Sequence, residues 1–347
     1  MTSGSKPSPG ALWALRRLVI APAMMTLTAL IWITLPAWLI VVAVLSPVLP
    51  GRWRALRLLW VFMLYLTCET LLLLVMLGLW FSSGFGRWVR TPYFEGIHYD
   101  LVQGLTWVFF REAQRVLALR IETDGPPPDA HPGVPILVAC RHAGPGDSFI
   151  LIHALMHWYH REPRVVLKDT LAWDPAIDVV LNRLPARFID SRGGDVEHHI
   201  TELARGLDED DAFVIFPEGG NFTPQRRQRG IDRLRKLGME RMARRAEAMT
   251  HVLAPRPGGF IAALEGAPDA DVVLVAHTGL DHMLTVGDVW RELPMDKKIV
   301  MRWWQVSREE IPDDRDERIE WLFGWWERID EWVEANRPED LRSSGRS

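Results

Sequence analysis

From Leu18 to Leu49 the chain is almost uncharged, and from Leu58 to Phe81 it is apolar again with Glu69 as the only charge. About 20 helical residues cross the ~30 Å hydrocarbon core of a bilayer, so each run is long enough for a span. A cleaved signal peptide fits poorly, because the first run is too long and the second follows closely. Pro22, Pro36 and Pro47 interrupt the first run. Each lacks the helix N–H, which predicts a kinked or re-entrant segment. Arg16 and Arg17, then Arg52, Arg54 and Arg57, then Arg87 and Arg90 put positive charge on every flank, so the charge asymmetry that orients spans is missing. A hairpin dipping into one leaflet would keep all three flanks on the cytoplasmic side. Trp53, Trp60, Trp80, Phe81 and Trp88 stand near the ends of the runs, as interfacial aromatic belts do. Glu69 reads either as an intramembrane functional group or as a carboxyl protonated or hydrogen-bonded within the helix pair.

After Arg90 the pattern changes. Leu105, Val108, Phe109, Ala113, Val116 and Leu117 form one face of a helix over 101–119. Short apolar runs then alternate with helical stretches. Strands are predicted over 118–122, 135–140, 164–167, 186–190, 212–216, 271–276 and 299–306. Helices are predicted over 148–160, 174–182, 196–207, 231–249, 258–265 and 313–336. Such alternation implies an α/β fold, a sheet flanked by helices. The division expected is a membrane-embedded helical segment over 1–90, an α/β domain over 91–336 and a disordered tail over 337–347. Asp124-Gly125-Pro126-Pro127-Pro128 reads as a surface loop. Positions 321, 325, 329 and 332 share a helix face rich in tryptophan, which either lies buried on the sheet or docks on a membrane.

Composition narrows the chemistry. A net charge of -4 gives no strong field for nucleic acid. The excess of arginine over lysine fits a GC-rich, bacterial genome. Two cysteines, Cys68 and Cys140, exclude a disulfide framework and a cysteine-based zinc site. Cys140 is a small core residue or, less in keeping with its apolar strand, a nucleophile. His198, His199, His277 and His282 lack a ligand spacing, so no metal is expected.

Three strand ends carry candidate chemistry. The run Pro135–Cys140 is apolar throughout, as a strand buried on both faces is. It ends in Arg141-His142-Ala143-Gly144-Pro145-Gly146-Asp147, a histidine five positions before an aspartate. Asp147 either caps the helix that follows or accepts a hydrogen bond from one ring nitrogen of His142. The second arrangement fixes the tautomer and leaves the other nitrogen free to take a proton from an alcohol near neutral pH. A second strand ends in Phe216-Pro217-Glu218-Gly219-Gly220, at the carboxyl end where open α/β sheets bind ligands. The plainer reading is an ordinary turn. A third ends in Asp190-Ser191-Arg192, where Arg192 is either a phosphate ligand or a surface arginine. The arginines from Arg226 to Arg245 form a solvated face or meet anionic headgroups or coenzyme A phosphates. No Gly-x-Ser-x-Gly elbow is present, so any nucleophile is the substrate's own hydroxyl.

These residues resemble the glycerophospholipid acyltransferase family of the 1-acylglycerol-3-phosphate type. That family carries Asn-His-x-Ser-x-x-x-Asp-like and Phe-Pro-Glu-Gly-Thr-Arg motifs in this order. Phe222-Thr223 and the segment Leu253-Ala254-Pro255-Arg256-Pro257-Gly258-Gly259-Phe260 look like the lysocardiolipin acyltransferase branch. The resemblance implies a mixed sheet flanked by helices, joined to an N-terminal hydrophobic helical membrane hairpin. It implies His142 as general base with Asp147, and Glu218, Gly219 and Arg192 on the acceptor. It also implies acyl-CoA or acyl-carrier protein as co-substrate, with no cofactor and no metal. Gly144 and Gly146 are the candidate oxyanion donors. Arg141, Gly144, Ser191 and Gly220-Asn221 depart from the family pattern, and so does the strand ending at His277, which lacks a proline usual there. Arg226 or Arg256 stands in for the arginine missing at 221. The partners expected are a lysophospholipid, an acyl donor and membrane lipids, at a bacterial cytoplasmic membrane with the catalytic domain on the cytoplasmic side. The competing reading is a non-catalytic lipid-binding or scaffold protein on the same fold.

Overall fold

The computed structural model describes residues 9–49, 53–126, 133–144, 146–189, 196–279, 281, 286–293 and 296–338. Arg192, the end of the Asp124–Pro128 loop, His282 and the tail beyond 338 lie outside the described residues. In chain order, helix α1 (Pro9–Ala14) runs through a π-helical stretch (Leu15–Ile20) into α2 (Ala21–Leu45), followed by α3 (Arg54–Ser82) and α4 (Pro92–Leu117). Then come β1 (Arg120–Asp124), β2 (Ile136–Cys140), α5 (Asp147–Trp158), β3 (Glu162–Lys168), α6 (Pro175–Leu181) and β4 (Ala186–Ile189). They are followed by α7 (Val196–Ala204), β5 (Asp211–Ile215), α8 (Pro224–Lys236), α9 (Glu240–Ala248), α10 (Pro257–Gly266) and β6 (Asp271–Thr278). Last are α11 (Val286–Glu292), β7 (Lys298–Val306) and α12 (Arg315–Asn336). The chain forms two compact units, Met1–Leu117 with Leu167–Ser191, and Ala118–Val166 with Arg192–Ser347.

In the first unit, the helical stretches Leu12–Leu45 and Arg54–Ser82 are long and apolar enough to cross a membrane. Leu18, Ile33, Ile40 and Val44 are exposed on the first of them. Such a surface is stable against lipid rather than water. Pro22 falls in the first turn of α2, directly after the π-helical stretch, and Pro47 falls beyond the end. Pro36 is interior to α2. Polar side chains join α2 to α3: Thr70 donates to Thr28 at 3.0 Å and Trp32 Nε1 to Thr67 at 3.0 Å. Glu69 is buried and hydrogen-bonded to Asp174. Its partner is therefore the segment before α6, not the second helix of the pair. Tyr65 donates to the same Asp174 at 2.5 Å, while Arg16 and Arg17 pair with Asp178 at 3.2 and 2.8 Å. These contacts fasten the 167–191 excursion to the apolar helices.

In the second unit the strand order is β1-β7-β6-β2-β5-β3. The pairs are parallel except β6 with β7, so the sheet is mixed. Alternation sorts its faces. Leu137, Ala139, Phe213, Val272, Leu274 and Ala276 join one core with α7, α9, α10 and α12. The intervening Val138, Val273 and Val275 are equally buried and, by the period of two, face the other way. All of β2 is buried, as a strand covered on both sides must be.

Two expectations shift. The single helix predicted over 231–249 is two, α8 and α9, because Gly238 adopts φ +73 between them. On α12 the fully buried stripe is Leu322, Trp326, Ile329 and Val333. It lies one position round from the 321/325/332 tryptophans, which are half-buried at its rim and pack on the core cluster. The helix thus follows the sheet-facing reading, with Trp326 and three aliphatic residues innermost.

Buried Asp330 on α12 accepts the backbone N–H groups of Thr250 (3.1 Å), His251 (2.5 Å) and Val252 (3.2 Å). A loop has no ladder to satisfy its amides, and a carboxylate supplies the missing acceptor. Removing it strands the buried Val252 N–H and two part-buried ones, at about 1–3 kcal/mol for a buried donor. Asp330→Ala is expected to lower unfolding stability by about 3 kcal/mol or more. Denaturant titration of the purified protein in detergent checks this.

Candidate active site

Strand β2 lies between β6 and β5 and runs parallel to both, so the carboxyl ends of all three strands meet on one side of the sheet. His142 leaves β2 at this end. Its backbone N–H donates to Glu218 Oε1 at 2.9 Å, and its carbonyl accepts from Phe222 N at 2.7 Å. The loop after β5 therefore clamps the histidine's backbone on both sides. The Phe216 ring lies 4.6 Å from the imidazole, tilted by 33°.

Asp147 opens α5, but its side chain does not cap that helix. It turns back, and Oδ2 accepts from Gly144 N at 2.6 Å and lies 3.3 Å from His142 Nδ1. Of the two arrangements expected for Asp147, this is the pairing with His142. The imidazole is 18% exposed and the carboxylate 4%, so the acid sits inside and the base reaches outward. Among the described residues His142 Nε2 has no partner. Burial alone would raise the Asp147 carboxyl, but the neighbouring His277, the His142 hydrogen bond and the Gly144 N–H hold it below the usual range. Gly144 is corrected as an oxyanion donor: its N–H already points at Asp147. Gly146 is the member of that pair left to serve. Cys140 is fully buried and its thiol is raised well above the ordinary value, first by burial, which fits the core reading.

Glu218 is 2% exposed. Its two oxygens accept from His142 N (2.9 Å) and Leu253 N (3.0 Å). The sequence reading put this residue on the acceptor. In the structure both carboxylate oxygens hold backbone, so it acts on the site through His142. Gly219 has φ +68, and a side-chain carbon there would meet Arg256 Nη1 at 3.2 Å. A carbon on Gly220 would meet Arg226 Nη1 at 3.1 Å. The two glycines let both guanidiniums lie close against the loop. Arg226 also donates to Asn221 O at 2.9 Å, beside the position where the resemblance expects an arginine. Burial first, then the neighbouring charges of Arg233 and Arg226, lowers the proton affinity of Arg256. No carboxylate pairs with Arg226, Arg233 or Arg256 among the described residues. Three like charges gathered without a carboxylate partner among the described residues make this side of the site strongly positive. Arg233 was visible in the sequence only as one of many arginines.

Sequence reasoning also missed the second row of the site. Arg141 is 1% exposed, pairs with Asp281 at 2.6 Å and donates to the carbonyls of His277 and His251, the latter at 3.0 Å. Its signal was a charged residue directly after a fully buried strand. Such a group needs several acceptors brought from elsewhere in the chain. His277 was marked only as a metal candidate that lacked partners.

A family model described as Acyltransferase matches residues 121–274, which include β2, β5 and both the His142–Asp147 and Glu218 segments. No curated protein matches the chain. Among solved structures, the chain is similar to the 1-acyl-sn-glycerophosphate (LPA) acyltransferase PlsC from Thermotoga maritima. That match has 15% identity and a TM-score of 0.45, and covers 76% of this chain and 96% of that one. The mixed sheet flanked by helices is the architecture expected from the sequence.

Burial pushes the Glu218 carboxyl up to about 7, against the charge of Arg141 and the two amides that favour the ionised form. A raised carboxyl means the folded state holds its proton over a window where the unfolded chain, at 4.5, has lost it. Stability from this group therefore rises as pH falls through that window and is lost as pH climbs past about 7. Relative to Glu218→Gln, the wild-type protein is expected to gain on the order of 2 kcal/mol between about pH 8 and about pH 5. Parallel unfolding titrations of the two proteins measure it.

Proposed function

We propose that the protein is a membrane-associated acyltransferase that moves a fatty acyl group from a thioester, acyl-CoA or acyl-carrier protein, to the hydroxyl of a lysophospholipid. The observation that carries the reading is the outward-facing imidazole of His142, oriented by buried Asp147 at the meeting of three strand ends. The acyltransferase match over the same residues supports it.

His142 Nε2 takes the proton of the lysolipid hydroxyl as its oxygen attacks the thioester carbonyl. Asp147 stabilises the imidazolium that forms. The tetrahedral oxyanion collapses, the carbon–sulfur bond breaks, and the thiolate recovers the proton from His142. The products are the ester and a free thiol, so no cofactor beyond the acyl donor is needed. The N–H of Gly146 is the proposed oxyanion donor. Arg226, Arg233 and Arg256 hold the acceptor's phosphate, with Arg192 proposed beside them on the sequence pattern alone. Glu218 keeps His142 in register. The apolar helices tether the domain to the bilayer in which acceptor and product dissolve, with the domain on the cytoplasmic face of a bacterial membrane. The acceptor is of the lysophosphatidic or lysocardiolipin kind.

Membranes supplied with a panel of lysolipids and both donor types, read by product mass, test the reading. His142→Ala is expected to lose about 10²–10⁴-fold in turnover while remaining in the membrane fraction. Full turnover in that variant, or no acyl transfer to any lysolipid by the wild type, would leave the scaffold reading in its place. Arg226→Ala combined with Arg256→Ala is expected to raise KM for the phosphate-bearing acceptor about 10-fold or more, with KM for the acyl donor little changed. A rise confined to the donor would move the anion site to the coenzyme A phosphates.

A further inference from the structure

Asp147 faces two imidazoles, and only one of them is in the proposed mechanism. Strand β6 runs parallel to β2 with Val275 opposite Cys140, so the chain leaving β6 follows the chain leaving β2. His277, near the end of β6, is buried. Its Nε2 lies 3.3 Å from the carbonyl oxygen of Arg141 and 3.6 Å from Asp147 Oδ2. Carbonyl and carboxylate oxygens accept and never donate here, so Nε2 is the nitrogen that carries the hydrogen. That N–H bonds to the carbonyl of the residue before His142, and the same nitrogen stands 3.6 Å from the acid that orients His142, outside hydrogen-bond distance but close enough for its dipole to act on the carboxylate.

The ring has little freedom to leave. The His277 carbonyl accepts from Arg141 Nη1, and Arg141 pairs in turn with Asp281 at 2.6 Å. Asp281 accepts from Thr278 Oγ1 at 2.7 Å and Gly279 N at 2.9 Å, closing the turn after β6. Gly279 has φ +126, and a side-chain carbon there would come within 2.3 Å of Lys298 O, so the turn is built on glycine. Burial first, and the nearby Arg141 charge, lower the His277 pKa, with Asp147 opposing. A neutral donor supports the carboxylate without adding a cation that would compete with an imidazolium at His142.

We propose that His277 is a positioning residue for acyl transfer: its Nε2–H steadies the Asp147 carboxylate so that the acid stays aligned on His142. The inference rests on the reading of His142 and Asp147 as base and orienting acid. Oδ2 of Asp147 then accepts from the Gly144 N–H and the His142 ring N–H, with His277 Nε2 as a third neighbour at 3.6 Å.

The test is a mutant cycle on the full-length protein in membranes, assayed with saturating thioester donor and lysolipid. His277→Leu is expected to lower kcat about 10-fold, the size usual for a group that orients another, with both KM values within about 2-fold. His277→Gln, whose side-chain amide can place an N–H near the Nε2 position, is expected to recover most of that loss. In an Asp147→Asn background, His277→Leu is expected to cost under about 2-fold more, because the partner it steadies has already lost its charge. Should the Leu variant fail to reach the membrane, His277→Asn, which keeps polarity but draws the donor back, takes its place in the cycle. The proposal is overturned if the Leu variant turns over like wild type, if Leu and Gln are equally impaired, or if the loss multiplies fully with that of Asp147→Asn. A fully active His142→Ala marks the different failure, that of the base reading itself, and removes the proposal with it. An inactive His142→Ala beside a fully active His277→Leu defeats the present inference alone.

Discussion

The arrangement at the strand ends depends on one buried carboxylate. Glu218 lies almost wholly out of solvent, and its two oxygens receive two backbone amides from different parts of the chain, His142 after β2 and Leu253 before α10. A desolvated carboxylate without donors would be costly, and so would two buried amides without acceptors. Each cost is offset only when all three segments are in place together. The loop after β5 therefore cannot move independently of the histidine. Arg256 N donates to Pro217 O at 2.8 Å, which ties the arginine cluster to the same loop.

This coupling reaches α12. The segment 250–253 is held from one side by Asp330 and from the other by Glu218 and by Arg141, which donates to His251 O. A helix nearly 200 residues beyond His142 in the chain thus takes part in fixing where its backbone stands. Non-local contacts of this kind make a site rigid. They also make it hard to read from a linear pattern.

What the sequence exposed and what it hid follow that distinction. The strands were legible because apolar runs of the right length are bounded by glycine, proline and charge, and each one expected is found within a few residues. His142 with Asp147 was legible because the partners are local, five residues apart and separated by a turn. Arg141 with Asp281, His277 with Asp147, and Asp330 with the 250–252 amides span 80 to 140 residues or so. No periodicity links such partners, and only the parallel pairing of β2 with β6 brings the first two pairs together. The backbone partners of Glu218 were hidden for the same reason: its glycine-flanked strand-end position is local, whereas the amides that bond to it are not. The break at Gly238 was missed because the basic and apolar pattern continues across it, and a single positive φ leaves little trace in composition.

Buried charge is used at both ends of the central strands, with different outcomes. At the amino end of β5, Asp211 pairs with Arg164 at 2.5 Å, while Arg161, 2% exposed, donates to the carbonyls of Val134 and Glu209. These partners are another charge and backbone carbonyls, and the contacts pin the strands. At the carboxyl end the same kinds of contact leave His142 Nε2 without a partner among the described residues. Asp147, Glu218 and Arg141 are all engaged internally, whereas His142 is held by its backbone and by Nδ1 with Nε2 left over. A group fixed on three sides and open on the fourth loses little further entropy when a substrate hydroxyl arrives, which is the condition for efficient proton transfer. Among the described residues, that open nitrogen is what the proposed proton transfer would use.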